Sequence, residues 1–135
     1  MVKLVSITLK ELLDNEPRDL YIPALKITVK IRDPTTKDKI EVREEARKNP
    51  LWKELSPIEQ ATEISNRLAL RMLVEPKMTY EDYLKCPSPK IDTILEAIAW
   101  DYSKRVKKFT EKTRKEIRDF LEQQKEPYRK NSTSS

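Results

Sequence analysis

The sequence predicts a single, mainly α-helical domain that begins with a small antiparallel β element and ends in a long helix. Three observations support this α+β fold class. A hydroxyl residue followed three positions later by a carboxylate, which marks a helix start, recurs along the chain. One segment alternates apolar and polar residues, as a half-buried strand does, and the last third carries apolar residues at helical spacing. With 135 residues, the chain is long enough for one core of modest size.

The β element is expected between residues 20 and 33. In "KITVKIRD", Ile27, Val29 and Ile31 alternate with polar residues, which is typical of a strand with one buried face. The preceding "LYIP" is expected to pair with it through "PALK", without the usual Asn-Gly turn. Residues 2–7 alternate more loosely and are a candidate for a short strand. Because a two-stranded hairpin is only marginally stable alone, it must lie against helices or a third strand.

Four helices are predicted after the β element. They cover about residues 36–48, 57–74, 79–85 and 89–124. The hydroxyl–acid pairs that mark the first three starts are Thr35 with Asp38, Ser56 with Glu59, and Thr79 with Asp82. Pro57 and Pro89 stand at first helical positions, where the missing N–H costs no hydrogen bond. A similar pair, Thr8 and Glu11, opens a short N-terminal element.

Helix length and charge divide the chain into three predicted parts. Residues 1–102 are expected to form the domain, residues 103–126 a projecting basic helix, and residues 127–135 a disordered tail. A continuous helix over 89–124 would be about 50 Å long, which exceeds the width of so small a domain. Residues 103–130 hold 11 Lys and Arg against 5 Asp and Glu, a surplus of +6, whereas the whole chain carries +5. The basicity therefore belongs to the helix and not to the domain.

The composition excludes most familiar catalytic sites. The sequence has no histidine, which removes Ser-His-Asp triads, Cys-His pairs and His-ligated zinc. It has no glycine, which removes the glycine-rich loops that bring a backbone close to phosphate. The single cysteine, Cys86, is interpreted as a structural thiol. Since the carboxylates fall at predicted caps or on exposed helix faces, we predict a protein that is not an enzyme, with no catalytic residue, metal ligand or cofactor.

Hydropathy and composition also indicate where the protein works. No run approaches the roughly 18 apolar residues of a membrane span, and the first residues lack a signal-peptide pattern. We therefore expect a cytoplasmic protein with no membrane partner. Nine prolines, no glycine and abundant Lys, Arg and Glu follow the trends of heat-adapted proteins. A thermophilic origin is thus a prediction that a melting temperature can test.

Helix 79–85, the turn "KCPS" and the helical segment 89–100 together have helix-turn-helix spacing. The polar positions of the second helix are Lys90, Asp92, Thr93, Glu96 and Asp101. These are acidic on balance, and an acidic recognition helix would be repelled by phosphate. DNA reading by this pair is therefore disfavoured, and its prolines and caps are interpreted as parts of a scaffold.

The basic segment 104–118 is the better candidate for binding a partner. Its candidate partner-binding residues are Lys104, Arg105, Lys107, Lys108, Lys112, Arg114 and Lys115. Phe109 lies among these basic residues in the sequence. Three interpretations are open: a solvated helix with i,i+4 ion pairs, a docking arm for a protein, and a nucleic-acid-binding surface. The first two are favoured over the third.

Four segments form a distinctive order of elements over about residues 7–102. They are "ITLKELL", the hairpin and charged helix "LYIPALKITVKIRDPTTKDKIEVREEARK", the segment "RLALRMLVEPKMTYEDYLK", and "ILEAI". This order resembles the tail assembly chaperones of tailed bacteriophages and related proviruses. The resemblance implies a small, mostly helical protein that coats the hydrophobic tape-measure protein before the tail tube polymerises around it. The long basic extension after residue 102 departs from the compact form of that family.

The expected function is therefore that of a non-catalytic viral assembly chaperone or scaffold-type protein. Its partner would be apolar helical segments of a tape-measure-like or other virion protein, with self-association as a homo-oligomer also expected. The apolar residues expected to contact a partner are Trp52, Leu70, Met78, Phe109 and Phe120. Two alternatives stay open: a small viral nucleic-acid-binding or regulatory protein that uses the 104–118 helix, and a structural subunit of the virus particle.

Overall fold

The structure is a computed structural model that describes residues 6–125. Its elements follow in the order α1 (Leu9–Leu13), β1 (Arg18–Ile22), β2 (Ile27–Ile31), α2 (Thr36–Arg47), a 3-10 turn (Trp52–Glu54), α3 (Pro57–Met72), β3 (Leu73–Glu75), α4 (Tyr80–Lys85) and α5 (Ser88–Thr133, of which the part up to residue 125 is described). The protein is 67% helical, with a small antiparallel sheet near its N-terminus, so the predicted fold class is confirmed. The predicted tail at 127–135 and most of the predicted strand at 2–7 lie outside the described residues.

The three strands form one antiparallel sheet in the order β1-β2-β3, with β2 in the middle. Leu20 of β1 lies opposite Val29 of β2, and the register shifts by a bulge where β2 pairs with β3. Val29 and Ile31 are buried, whereas Thr28 and Lys30 are exposed. The predicted alternation of β2 is therefore confirmed, and its apolar side faces the core.

The hairpin turn occupies residues 23–26 and uses a lysine where glycine or asparagine is usual. Lys26 has a φ of 54°, in the left-handed region. The Leu25 N–H donates to the carbonyl of Ile22 at 3.2 Å, and the Lys26 N–H donates to the carbonyl of Pro23 at 3.2 Å. A residue with a Cβ in this region costs roughly 1 kcal/mol, and the hydrogen bonds and strand pairing must offset that cost.

The third strand corrects the predicted helix boundary at residue 74. Helix α3 ends at Met72, and Leu73 is already extended, with φ −74° and ψ 112°. Leu73 pairs with Ile31, and the Arg32 N–H donates to the carbonyl of Met72 at 2.8 Å. Pro76 disfavours helix in the residue before it, and pairing with the free edge of β2 gives the backbone an alternative set of hydrogen bonds.

The helix starts agree with the capping pattern. Thr35, Ser56 and Thr79 each accept from a backbone N–H three residues later, and the acid at that position accepts from the backbone of the cap residue. These reciprocal bonds satisfy donors that a helix start leaves free. At α1, Thr8 accepts from the Glu11 N–H. The sequence-based helix starts are therefore correct to within one residue.

The core lies between the sheet and the helices. Its buried apolar residues are Ile22, Val29 and Ile31 of the sheet, Val42 and Ala46 of α2, Ala69, Leu70 and Met72 of α3, Leu73, and Ile91, Ile94, Leu95 and Ile98 of α5. Among the described residues, no apolar side chain after Ile98 is buried. The chain divides into two compact units, and the boundary in the sequence falls between Ala99 and Trp100. Whether residues 1–102 fold alone stays a prediction.

Candidate protein-binding surfaces

Helix α5 exposes large apolar side chains in the unit that begins at Trp100. Phe109 is 77% exposed and Phe120 is 58% exposed, and Val106, Ile117 and Leu121 are exposed as well. Their spacing places them on one side of an α-helix. We call these five residues the α5 stripe. Contiguous exposed apolar surface of this kind marks interaction sites more often than isolated apolar side chains do, so the stripe is a candidate contact for a partner.

The basic residues predicted to bind a partner accompany this stripe. All seven are exposed: Lys104, Arg105, Lys107, Lys108, Lys112, Arg114 and Lys115. The Lys104 ammonium lies 5.8 Å from the ring centroid of Trp100, within the range of a cation–π contact. A helix with an apolar stripe and many cations can attract an acidic partner and then hold it by apolar contact.

The three apolar candidates before residue 100 are placed differently. Leu70 is only 5% exposed, so it belongs to the core, and its expected role as a partner contact is corrected: it offers a partner little surface. Trp52 is half-buried, and its carbonyl accepts a hydrogen bond from the Gln60 side chain at 2.9 Å. Met78 is half-buried and lines a hollow of about 420 Å³. Of the five predicted apolar residues, only Phe109 and Phe120 belong to the exposed class.

A cluster of charged side chains joins β2, α2 and α3 beside this hollow. Asp38, at the start of α2, is 6% exposed and accepts two hydrogen bonds from Arg32, at 2.7 Å and 3.2 Å. Arg71 of α3 donates to Glu41 at 2.6 Å and also to Glu45. The Arg32 guanidinium holds the pKa of Asp38 well below its usual range. The hydrogen bond from Arg71 likewise lowers the pKa of Glu41.

A second part of the cluster reaches α4. The Arg67 Nε donates to Glu63 at 2.9 Å, and its guanidinium lies 3.8 Å from the ring centroid of Tyr80. The Tyr80 hydroxyl donates to the same carboxylate at 2.9 Å. Burial and then this hydrogen bond raise the pKa of Tyr80. Because the arginines of the hollow are already paired with carboxylates, the cluster ties helices and sheet together and offers little free charge to a ligand.

A groove of about 650 Å³ lies between α3 and the first part of α5, within residues 58–99. Its lining from α3 comprises Ile58, Ala61, Thr62, Ser65 and Asn66; its lining from α4 and α5 comprises Tyr83, Asp92, Leu95, Glu96 and Ala99. Ile58 is 80% exposed despite its size. Two carboxylates and no basic side chain line the groove. Burial, and next the negative charge of Asp92, raise the pKa of Tyr83.

Two surface features, the groove and the exposed helix α1, were not predicted from the sequence. The groove could have been suspected from the small residues Ala61, Ser65 and Ala99 on amphipathic helices, but their meeting depends on the fold. The N-terminal helix α1 buries none of its residues, and Leu9, Leu12 and Leu13 are exposed. The acidic character predicted for the start of α5 agrees with the exposed Asp92 and Glu96.

Several carboxylates of the helices have structural partners within the fold. Glu59 and Asp82 accept from cap backbones, and Asp38, Glu45 and Glu63 contact arginines. Among residues 6–125, no group of three or more His, Cys, Asp or Glu is arranged to hold a metal ion. Nor does any helix in that part have the length and apolar character needed to cross a membrane. Cys86 is half-buried with a free thiol.

No protein-family model, no curated protein and no solved structure matches the chain. The resemblance to tail assembly chaperones therefore stays a prediction.

Proposed function

We propose that this protein is a non-catalytic assembly factor that binds an apolar helical segment of a protein partner through α5. The observation that carries the proposal is the α5 stripe, whose two phenylalanines are exposed on a helix rich in exposed cations. In helix-based recognition, apolar residues at helical spacing supply most of the binding free energy, and flanking charges orient the partner. The fitting partner is an amphipathic helix with acidic flanks.

The resemblance to tail assembly chaperones gives this proposal a biological setting. In that setting the partner is a tape-measure-like protein, whose long apolar helices need cover until the tail tube forms. The protein would act in the host cytoplasm and would be viral or proviral in origin. The α5 stripe supports this setting because it offers reversible apolar contact without a reactive centre.

Co-expression with the tape-measure protein of the same genome tests the proposal. Wild-type protein should raise the soluble yield of the partner and co-purify with it. The double variant Phe109→Glu, Phe120→Glu should lose both effects, since it places charge in the apolar contact. The matched control Thr36→Glu, Gln123→Glu adds the same charge at exposed positions outside the stripe and should retain both. An unchanged partner yield with wild-type protein would show that the proposal is wrong.

The second candidate function is nucleic-acid binding, which the four exposed cations between Lys104 and Lys108 favour. A filter or fluorescence assay with double-stranded DNA and with RNA distinguishes it from protein binding. Binding through phosphate should weaken steeply between about 50 and 200 mM salt, because each phosphate contact releases counterions. Binding through Phe109 and Phe120 should change little over that range. A third candidate, a structural subunit of the particle, predicts that the protein is found in purified virions.

A further inference from the structure

Two surfaces of this chain remain unpartnered among the described residues, and their charges are opposite. The first is the groove between α3 and α5, with an apolar floor and the carboxylates Asp92 and Glu96 at its edge. The second is the segment 114–121 of α5, which exposes Ile117 and Leu121 beside two arginines. We propose that the groove binds the segment 114–121 of a second copy of this chain.

The spacing of the two surfaces matches. The residues that α5 contributes to the groove are Asp92, Leu95, Glu96 and Ala99, at steps of three, one and three. The same steps recur 22 residues later at Arg114, Ile117, Arg118 and Leu121. Steps of three, one and three keep four residues on the same side of an α-helix, so each set forms one face. In each set, charged residues alternate with apolar ones, but the sign of the charge is reversed.

The chemistry of the groove selects this occupant. Ala61, Thr62 and Ser65 on α3 are small, which allows an incoming helix to approach at the short distances of packed helices. Ile58 is largely exposed at the edge and would be covered by the incoming helix. A polyanion is disfavoured, because the groove is lined by two acids and no base. A basic amphipathic helix meets both requirements, and the chain itself carries one.

The charged residues on both sides are available for the contact. Asp92, Glu96, Arg114 and Arg118 are all exposed, and none forms an ion pair within the part of the chain that the structure describes. Antiparallel pairing would bring Glu96 near Arg114 while Asp92 lies near Arg118. Every copy has both surfaces, and exchange of the contact between two copies gives a dimer, the commonest form of homo-oligomer. The dimer covers Ile117 and Leu121 when no other partner is present.

Sedimentation velocity of the full-length protein over a range of concentrations tests the proposal. Wild-type protein should form a species of twice the 16.0 kDa chain mass. A groove variant, Asp92→Lys with Glu96→Lys, and a segment variant, Arg114→Glu with Arg118→Glu, should each dimerise at least about tenfold more weakly, because attraction becomes repulsion. Higher salt should weaken the wild-type dimer and relieve the repulsion in both variants.

Mixing the two variants gives the decisive measurement. In the mixture, the lysine-bearing groove meets the glutamate-bearing segment, and the other contact keeps its natural charges. The 1:1 mixture should therefore dimerise as wild-type protein does, although neither variant does so alone. The controls Asp19→Lys with Glu44→Lys, and Lys48→Glu with Lys53→Glu, reverse exposed charges outside both surfaces and should leave dimerisation unchanged.

Circular dichroism must show that each variant has the wild-type helix content. If a reversal variant unfolds, the neutral pairs Asp92→Asn with Glu96→Gln and Arg114→Gln with Arg118→Gln replace it, and each should weaken the dimer by a smaller factor. A wild-type protein that is monomeric at all concentrations, variants that dimerise like the controls, or a mixture that fails to regain the dimer would each overturn the proposal. None of these measurements involves the assembly partner, so they are independent of the proposed function.

Discussion

Replacing Asp38 by asparagine, a residue of nearly the same size and shape, should strongly destabilise this protein. The carboxylate is buried at the start of α2, accepts two hydrogen bonds from Arg32 and lies 3.6 Å from Arg71. It also accepts from the backbone N–H of Thr35 at 2.8 Å as part of the capping box. Asparagine retains the size and one acceptor oxygen but loses the charge, and its NH₂ group would face the donors of Arg32.

The magnitude follows from the number of contacts that the change removes. A hydrogen bond to a charged group contributes about 1.5–3 kcal/mol, and removing one member of a buried ion pair costs about 3–5 kcal/mol. The Arg32 side chain is 29% exposed, so water can partly solvate it after the change. We therefore expect the Asp38→Asn variant to lose about 3 kcal/mol of unfolding free energy near neutral pH, at the lower end of that range.

The pH dependence has a definite sign. Because the folded-state pKa of Asp38 lies well below its usual value, its stabilisation is fully present above the unfolded pKa and is lost as the pH falls towards the folded pKa. The difference in unfolding free energy between wild type and Asp38→Asn should be constant from about pH 6 to 8 and should shrink below about pH 4. Urea denaturation at several pH values measures it, with the m-value as a check on the unfolded state.

Asp82→Asn is the matched control. Asp82 accepts from Thr79 in the same kind of capping box, but it is exposed and forms no ion pair with an arginine in the described part of the chain. Its loss should be much smaller than that of Asp38→Asn. If the two variants lose the same stability, or if the Asp38 difference does not change down to pH 3, the charged cluster does not stabilise the fold as argued.

Three further predictions concern the part of α5 after Tyr102, the hairpin turn and heat resistance. Truncation after Tyr102 should leave a cooperatively folding domain by thermal circular dichroism while abolishing binding of an acidic partner; loss of the transition would mean that the later part of α5 is needed for folding. Lys26→Gly should raise the unfolding free energy by about 0.5 kcal/mol in urea, because glycine adopts the left-handed turn position without strain but costs more chain entropy. The full chain should melt above about 60 °C by calorimetry, and a lower value would contradict the thermophilic origin.

Much of the fold was predictable because its signals are local. The capping boxes at Thr35, Ser56 and Thr79 act over three residues, so each helix start depends on its own sequence. The alternation of Ile27, Val29 and Ile31 likewise determines which side of β2 is buried. The exposed Phe109 and the cations around it could be predicted as a surface, because the apolar pattern thins after that residue while basic residues become frequent.

Other features were decided only by the tertiary structure. Leu73 continues an apolar helix in sequence, but it joins the sheet because the edge of β2 offers it backbone partners. Arg71 meets Glu41 and Glu45 across 30 and 26 residues of sequence, a pairing that no local pattern specifies. Leu70 lies in the core and not at the surface that the sequence predicts, because α3 turns that side inward. In each case the outcome depends on which segments meet, and that is determined by how the whole chain buries its apolar surface.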